Sequence, residues 1–513
     1  MKVVTETDTG LRQASHTLRL RRLGIDTYQE SVIYMRSDCH VCRAEGFEAQ
    51  SRVDVTTGAR AIIATVNVVT TDLLAPGEAG LSEAAWRLLD AREGDLVTLS
   101  HPPPLESLSH VRAKIYGKRL DEAALLAVVR DVAAGRYSDI HLSSFITAAA
   151  GDRFDLAETI ALTRAMIAVG ERLEWGRTPV VDKHCVGGLP GNRTTLLVVP
   201  IIAAFGLTIP KTSSRAITSP AGTADTMETL APVTLDVTQM RRVVEREGGC
   251  IVWGGSMRLS PADDVLIRVE RPLDLDSEGQ LVASVLSKKA AAGSTHVVID
   301  VPVGETAKVR SAEAAARLEQ WLVEVGRTVG LEVRVVPTDG AQPVGRGIGP
   351  ALEARDVLAV LRGEPRAPSD LRERALLLAG QVLELSGSMP HGAGTQIATV
   401  ILESGRAWNK FQAICEAQGG LREPPHAPYT HVVVSGSNGH VTRIDNRRLA
   451  RAAKLAGAPK APAAGMEVHA PLGTGVEAGQ PLFTLHAETP GELAYALAYV
   501  EAQADIVRVG PAS

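Results

Sequence analysis

Aromatic side chains and sulfur are scarce in this chain. Of its 513 residues only 4% are Phe, Trp or Tyr, too few for the stacking platforms that hold single-stranded nucleic acid. Five cysteines, an odd and small number, exclude a disulfide framework and fit a reducing compartment. Long apolar runs are missing too. The longest, LLVVPIIAAFG, is broken by Pro200 and Gly206 and is too short to span a bilayer comfortably. The opening MKVVTETDTG lacks the apolar stretch of a signal peptide, so a cytoplasmic protein with no membrane partner is expected. Charge of one sign is also lacking. The net charge is -5, so no whole-molecule field draws the chain to a nucleic-acid polymer, and any anion site must be local.

What is present is an ordinary globular composition, 45% hydrophobic and 22% charged, on a chain too long for one core. The pattern predicts an α/β multidomain protein. Residues 1-100 read as a small N-terminal β domain, because TYQESVIYMRSD, ARAIIATVNVVT and GDLVTLSHP are β-branched runs cut by turn residues. HPPPLES then stiffens the chain like a linker. Residues 110-178 read as a helical subdomain, joined by part of 260-292, since LDEAALLAVVRDVAAG repeats its apolar positions at three and four residues. Residues 179-420 form a central α/β domain with a mixed or parallel sheet. There LLVVPIIAAFG, GCIVWGG, THVVIDVPVG and LEVRVVPTDG are expected as strands or buried segments. Residues 425-513 make a C-terminal α+β domain.

The densest chemistry lies in DKHCVGGLPGNRTT, residues 182-195. A P-loop reading fails on glycine spacing and on the missing Gly-Lys-Ser/Thr. What survives is an anion-binding turn: backbone N–H groups exposed by glycines at the start of an apolar helix. Composition alone leaves a tight ligand-free connection equally open. The second segment, KTSSRAITSPAGTADTME at 211-228, adds hydroxyls and an arginine suited to oxyanions.

These two segments, followed in order by ASVLSKKAAAG and AQPVGRGIGPALEARDVL, resemble the signatures of the thymidine/pyrimidine-nucleoside phosphorylase family. The likeness is to its long branch, which includes AMP phosphorylase. It implies cleavage of an N-glycosidic bond by inorganic phosphate, a co-substrate, with no cofactor and no metal. By the resemblance, phosphate is held by Lys183, Thr195, Ser213 and Thr223 with Gly188; Cys185 stands where shorter members have a hydroxyl, and a thiol is a poor donor. His184 matches a histidine that assists protonation of the base. Ser284, Lys288 and Arg268 match the residues reading a pyrimidine's carbonyl edge. The AMP branch implies Asp276 as proton donor, and nucleotide contacts at Gly188, Ser214, Arg215, Ala216, Ile217, Thr218, Ser219, Thr223, Ser284 and Lys308. The main expectation is phosphorolysis of a nucleoside 5′-monophosphate to base and ribose 1,5-bisphosphate. The alternatives are thymidine phosphorolysis to thymine and 2-deoxyribose 1-phosphate, and a non-catalytic nucleotide-binding protein. Family members associate through helical domains, so a homodimer or higher homo-oligomer is expected.

One motif stands apart. CHVC, Cys39 to Cys42, supplies two sulfurs, and no second cysteine pair exists, so a four-ligand zinc site within the chain is not expected. A redox role finds no better support in the sequence.

Overall fold

A computed structural model describes residues 17–511 apart from Ile217, Thr218, Arg258, Asp274, Asp276 and Ala504. The chain forms two compact units. One takes in the residues up to Leu120 and Ala127–Ala148; the other takes in Asp121–Leu126 and everything from Ala149 on.

The first unit begins with six strands: β1 (Thr17–Arg22), β2 (Val32–Arg36), β3 (Arg52–Thr57), β4 (Arg60–Val69), β5 (Glu78–Leu81) and β6 (Leu96–Ser100). They close into a barrel in the order β1-β5-β2-β4-β3-β6, which leaves no open edge. Alternation sets the inside: Val53 and Val55 of β3 and Val97 and Leu99 of β6 point into one core, while Leu96 stays outside. Arg52 ties this barrel to the helical residues of the same unit, donating to Thr65 Oγ1 and to the Gly135 carbonyl, both at 2.9 Å.

The second unit is built on five strands: β7 (Val181–Cys185), β8 (Ile209–Ser213), β9 (Gly249–Trp253), β10 (His296–Val303) and β11 (Glu332–Asp339). β11, β10 and β7 pair in parallel, as do β8 and β9. A parallel bridge from Val180 to Thr208 joins the two groups. β8 and β10 are buried along nearly their whole length, as a sheet covered on both faces requires. Around it pack helices Thr195–Phe205, Val237–Glu247, Ala312–Thr328 and Ser369–Leu385.

LLVVPIIAAF is not a strand but the body of the helix Thr195–Phe205, ended by Gly206 at φ 112°. The physical reason is that Thr195 through Ala203 are all buried. An element buried all round shows neither the helical nor the strand period. Helices Leu156–Val169 and Glu278–Ala291 pack against each other, with Gly279 set so close to Phe154 and Thr159 that a Cβ would lie 2.7 Å from Thr159 Oγ1.

The C-terminal part holds β12 (Gly347–Ile348), β13 (Tyr429–Val434), β14 (Gly439–Ile444), β15 (Gly465–Val468), β16 (Gly475–Val476), β17 (Pro481–Ala487) and β18 (Val507–Gly510). β12 leaves the α/β part to pair with β15, in the sheet β12-β15-β17-β13. Arg193, wholly buried, fastens that crossing. It donates to Asp356 Oδ2 at 3.0 Å and to the Gly347 carbonyl, and pairs with Glu353 at 3.3 Å. Asp356 Oδ2 also accepts from the backbone N–H groups of Arg346 and Gly347, both at 2.8 Å.

Two carboxyls thus share one buried guanidinium, and burial pushes Glu353 up to about 7 against the pull of Arg193. A carboxyl raised in the folded state contributes stability that is full at low pH and is lost as pH rises through its folded pKa. Arg193→Met leaves both carboxyls unpaired, a loss of about 3–5 kcal/mol, which protonation partly relieves. The unfolding midpoint of the variant should therefore fall, and fall further below wild type at pH 8 than at pH 6. Equal deficits at the two pH values, read by thermal melts, would contradict this account.

Candidate functional site

One short strand sorts the charges of the site. Successive side chains of β7 point to opposite faces, so Asp182 and His184 look one way, Lys183 and Cys185 the other. Asp182 is fully buried and takes two lysines: Lys211 Nζ at 3.2 Å from Oδ1 and Lys289 Nζ at 2.7 Å from Oδ2. Burial alone would raise its carboxyl; Lys211 and Lys289 together hold it below its usual range. Burial pushes Lys289 down, with Asp182 pulling against it. Lys211 also donates to the Lys183 carbonyl at 2.6 Å.

On the other face Lys183 meets hydroxyls only. Its ammonium, wholly buried, donates to Thr194 Oγ1 at 2.6 Å and lies 3.5 Å from Thr195 Oγ1. Among the described residues no carboxylate comes within ion-pair distance of it. A buried cation without a counter-charge is costly. Here it sits at the start of helix Thr195–Phe205, where an anion is favoured.

The turn between β7 and that helix is strained. Gly187, Gly188 and Leu189 run at φ 86°, 84° and 93° in succession. The last is a costly conformation for leucine. Leu189 is held there because its side chain is buried in the core cluster of the C-terminal strands, with Ile348, Val441 and Phe483. At Gly188 a Cβ would lie 2.9 Å from Lys308 Cβ, so glycine lets Lys308 pack directly on the turn.

The second segment comes to the same place. Leu189 N–H donates to Ser219 Oγ at 3.2 Å, and Thr223 Oγ1 donates to the Asn192 carbonyl at 3.4 Å. Ser213, at the end of β8, has a buried hydroxyl with no hydrogen-bond partner. Asp225 closes the 214–222 loop by accepting from the N–H groups of Ala216 and Gly222 at 2.7 and 2.9 Å. Arg215 is engaged elsewhere. It pairs with Glu228 at 2.5 Å and Asp225 at 3.2 Å, and lies 4.9 Å over the Trp253 ring. Ser214 is exposed and Ala216 buried. A cavity of about 840 Å³ lies along this segment, between Arg215, Glu228 and Lys454. Ile217 and Thr218 lie outside the described residues.

The remaining positions sit on helices. Lys288 Nζ donates to Ser284 Oγ at 3.0 Å and to Asp263 Oδ2 at 2.6 Å, so the acid on helix Pro261–Leu273 aims the lysine on helix Glu278–Ala291. Arg268 stands on the Pro261–Leu273 helix. Glu270, on the same helix, is pushed up to about 7 by burial and by the charge of Asp263, against Lys308 and Lys288. His184 is held well below its usual range by burial and by the charges of Lys289, Lys211, Lys288 and Lys183. A neutral imidazole can donate one hydrogen bond but carries no spare proton at pH 7. Burial, then the charge of Asp300, pushes the Cys185 thiol up to about 12. Asp276 lies outside the described residues.

The sequence assigns no specific role to Asp182, Lys289, Asp263 and Asp300, and marks Lys211 only as the opening residue of the second segment. Asp182 and Lys289 adjoin Lys183 and Lys288, in DKH and SKK, and strand alternation was the signal available at Asp182. Among the described residues no group of three metal-ligating side chains forms, and no helix is long and apolar enough to cross a membrane.

With this geometry in place, comparison with known proteins is direct. Residues 109–170 match the helical bundle domain of the glycosyl transferase family, and residues 177–408 match its a/b domain. Residues 440–507 match the pyrimidine nucleoside phosphorylase C-terminal domain. The chain is 70% identical over 499 residues to "Putative thymidine phosphorylase 1" of Acidovorax sp. (strain JS42), covering 97% of this chain and 98% of that one. It is 62% identical over 499 residues to "Putative thymidine phosphorylase" of Legionella pneumophila (strain Paris), covering 97% and 96%. Among solved structures, anthranilate phosphoribosyltransferase from Thermus thermophilus shares the fold at TM-score 0.50 and 22% identity, over 60% of this chain and 98% of that one.

The unpaired ammonium of Lys183 makes a sharp prediction. Lys183→Met removes a buried charge and keeps a similar bulk, so without anions the variant should melt at or above the wild-type temperature. Addition of phosphate should raise the melting temperature of wild type but not of the variant. A variant that melts lower and still gains from phosphate would place the anion elsewhere.

Proposed function

The chain belongs to the pyrimidine nucleoside phosphorylase family and is a pentosyltransferase, and within that family we propose that it phosphorolyses a pyrimidine nucleoside of the thymidine class. The products are the free base and a pentose 1-phosphate; inorganic phosphate is the co-substrate and no other cofactor takes part. The names of its full-length relatives support this reading. The observation that carries the base class is the donor pair of Lys288 and Ser284, aimed by Asp263, since a pyrimidine presents carbonyl oxygens that accept from such donors.

In this reading phosphate lies against Lys183, Thr195, Ser213 and Thr223, with the N–H groups of the glycine turn around it. One phosphate oxygen attacks the anomeric carbon as the bond to the base nitrogen breaks. The electron pair leaves with the base and spreads to its carbonyl oxygens. Lys288, Ser284 and one N–H of neutral His184 meet that charge by hydrogen bonding. The phosphate dianion meets the positive charge developing on the sugar. The work of the protein is positioning and electrostatics. The assembly we propose is a homodimer or higher homo-oligomer in the cytoplasm.

A second reading, phosphorolysis of a nucleoside 5′-monophosphate, is favoured by one feature. Lys308 packs on Gly188 at the glycine turn, an added cation suited to a second phosphate. Glu270, raised to about 7 within the field of that lysine, is a group able to protonate a purine as it leaves.

Base release from thymidine, uridine and AMP, each at saturating phosphate, separates the readings. The expectation is turnover of a pyrimidine nucleoside above AMP, with Lys288→Met lowering kcat/KM for it about 10²-fold and leaving the fold intact. Preferred turnover of AMP would replace this reading with the second. Tight nucleotide binding with no base release from any substrate would replace both with a binding protein.

A further inference from the structure

The barrel carries a chemistry that the phosphorolytic site leaves unused. Cys39 and Cys42 stand three residues apart where β2 gives way to the short helix His40–Glu45. Cys39 precedes the helix in extended backbone, at φ -57° and ψ 129°, and Cys42 lies in the first turn. Both are 7% exposed. They differ in what they face. Cys42 Sγ points inward and lies 3.9 Å from Met35 Sδ in the barrel core. Cys39 lines a cavity of about 200 Å³ that Arg36, Asp38, His40 and Glu78 share. Both belong to the barrel core, and of the two only Cys39 also borders that cavity.

The pair is also set apart from the other cysteines. A hydrogen bond from the Cys42 thiol, joined by the N–H groups of Cys42 and Val41, brings Cys39 down to about 6, while Cys42 is pushed up. Burial pushes Cys185, Cys250 and Cys415 up instead. The thiolate is the nucleophile in sulfur exchange, so Cys39 is the attacking atom and Cys42 the resolving one. Side chains three residues apart at a helix start have Cβ atoms about 5–6 Å apart. A shift of the pre-helical backbone at Cys39 closes that gap to the Cβ separation of a disulfide, about 3.5–4.5 Å. Among the described residues no third metal ligand joins the pair.

We propose that Cys39 and Cys42 are a redox-active dithiol that exchanges with low-molecular-weight disulfides. The Cys39 thiolate attacks one sulfur of the disulfide RS–SR; that S–S bond breaks and one RS⁻ departs. Cys42 then loses its proton and attacks the Cys39 sulfur. The Cys39–Cys42 bond forms and the second RS⁻ leaves. The protein has lost two electrons and two protons, and RS–SR has become two thiols.

Glutathione disulfide is the probe. Full-length protein is equilibrated with graded mixtures of glutathione and its disulfide, quenched in acid, unfolded and alkylated. Trypsin then releases residues 37–43, which hold both cysteines. The expected result is a peptide that loses both alkylation sites together and gains an internal disulfide, while Cys185, Cys250 and Cys415 stay alkylatable. With Cys42→Ser the reaction should stop at glutathione attached to Cys39. In native protein at pH 7, Cys39 should be alkylated at least ~10-fold faster than Cys185. The proposal falls if peptide 37–43 remains reduced in glutathione disulfide alone. It falls equally if wild-type protein alkylates Cys39 no faster than the three buried thiols, a readout that does not depend on any variant folding.

Discussion

The site depends on one asymmetry of charge across a single strand. Asp182 satisfies Lys211 and Lys289 on one face of β7. Lys183, one residue on, is turned by the pleat to the other face and receives no carboxylate among the described residues. Had the acid and Lys183 shared a face, the pair would have neutralised itself. The buried lysine pair also acts on His184, which shares the face of Asp182. Burial, and then the surrounding cations, hold it well below its usual range. The same arrangement that leaves Lys183, among the described residues, without a carboxylate on one side surrounds the histidine with cations on the other.

The turn beside Lys183 is strained at one residue. Gly187 and Gly188 adopt positive φ readily, and Leu189 at φ 93° is the costly one. The compensation comes from a distance. Leu189 is buried among C-terminal residues, and the N–H of the same residue is bonded to Ser219. Arg193, two residues before helix Thr195–Phe205 begins, is locked to Glu353, Asp356 and the Gly347 carbonyl. The C-terminal strands therefore help hold the glycine turn in place.

Much of this was legible in the sequence, and the illegible parts share a cause. β10 and β11 announce themselves as β-branched runs, and the glycine turn stands out by its flanking lysine and threonines, which the fold brings together. The helix Thr195–Phe205 is ambiguous in the sequence, legible both as the apolar helix after the glycine turn and as a strand or buried segment, because complete burial erases periodicity. The barrel closes through parallel pairs, β1 with β5 and β2 with β4, whose partners no local pattern reveals. The partners of known site residues were hidden in the same way. Nothing around Lys288 points to Asp263, and nothing around Cys185 points to Asp300. Residue type shows which side chains can do chemistry; only the folded chain shows which are already neutralised. Lys183 and Lys211 look alike in the sequence and differ entirely in that respect.

Cys185 bears on the phosphate site proposed above. In β7 it points the same way as Lys183, where shorter members of the family carry a hydroxyl. Its thiol is buried, and the adjacent Asp300 carboxylate has Oδ1 bonded to Thr338 at 2.6 Å but no hydrogen-bond partner at Oδ2. A negative oxygen beside the sulfur disfavours a thiolate, so the thiol keeps its proton and adds no repulsion to a bound dianion. It is nonetheless a weak donor. In the phosphate site proposed above, the strong interactions are then the Lys183 ammonium, the Ser213 hydroxyl, which has no hydrogen-bond partner among the described residues, and backbone N–H groups of the glycine turn. Backbone donors cannot be removed by side-chain substitution and cannot turn away without unwinding the turn. A site that relies on them tolerates a poor donor at position 185 for the same reason that it needs the strained backbone at 187–189.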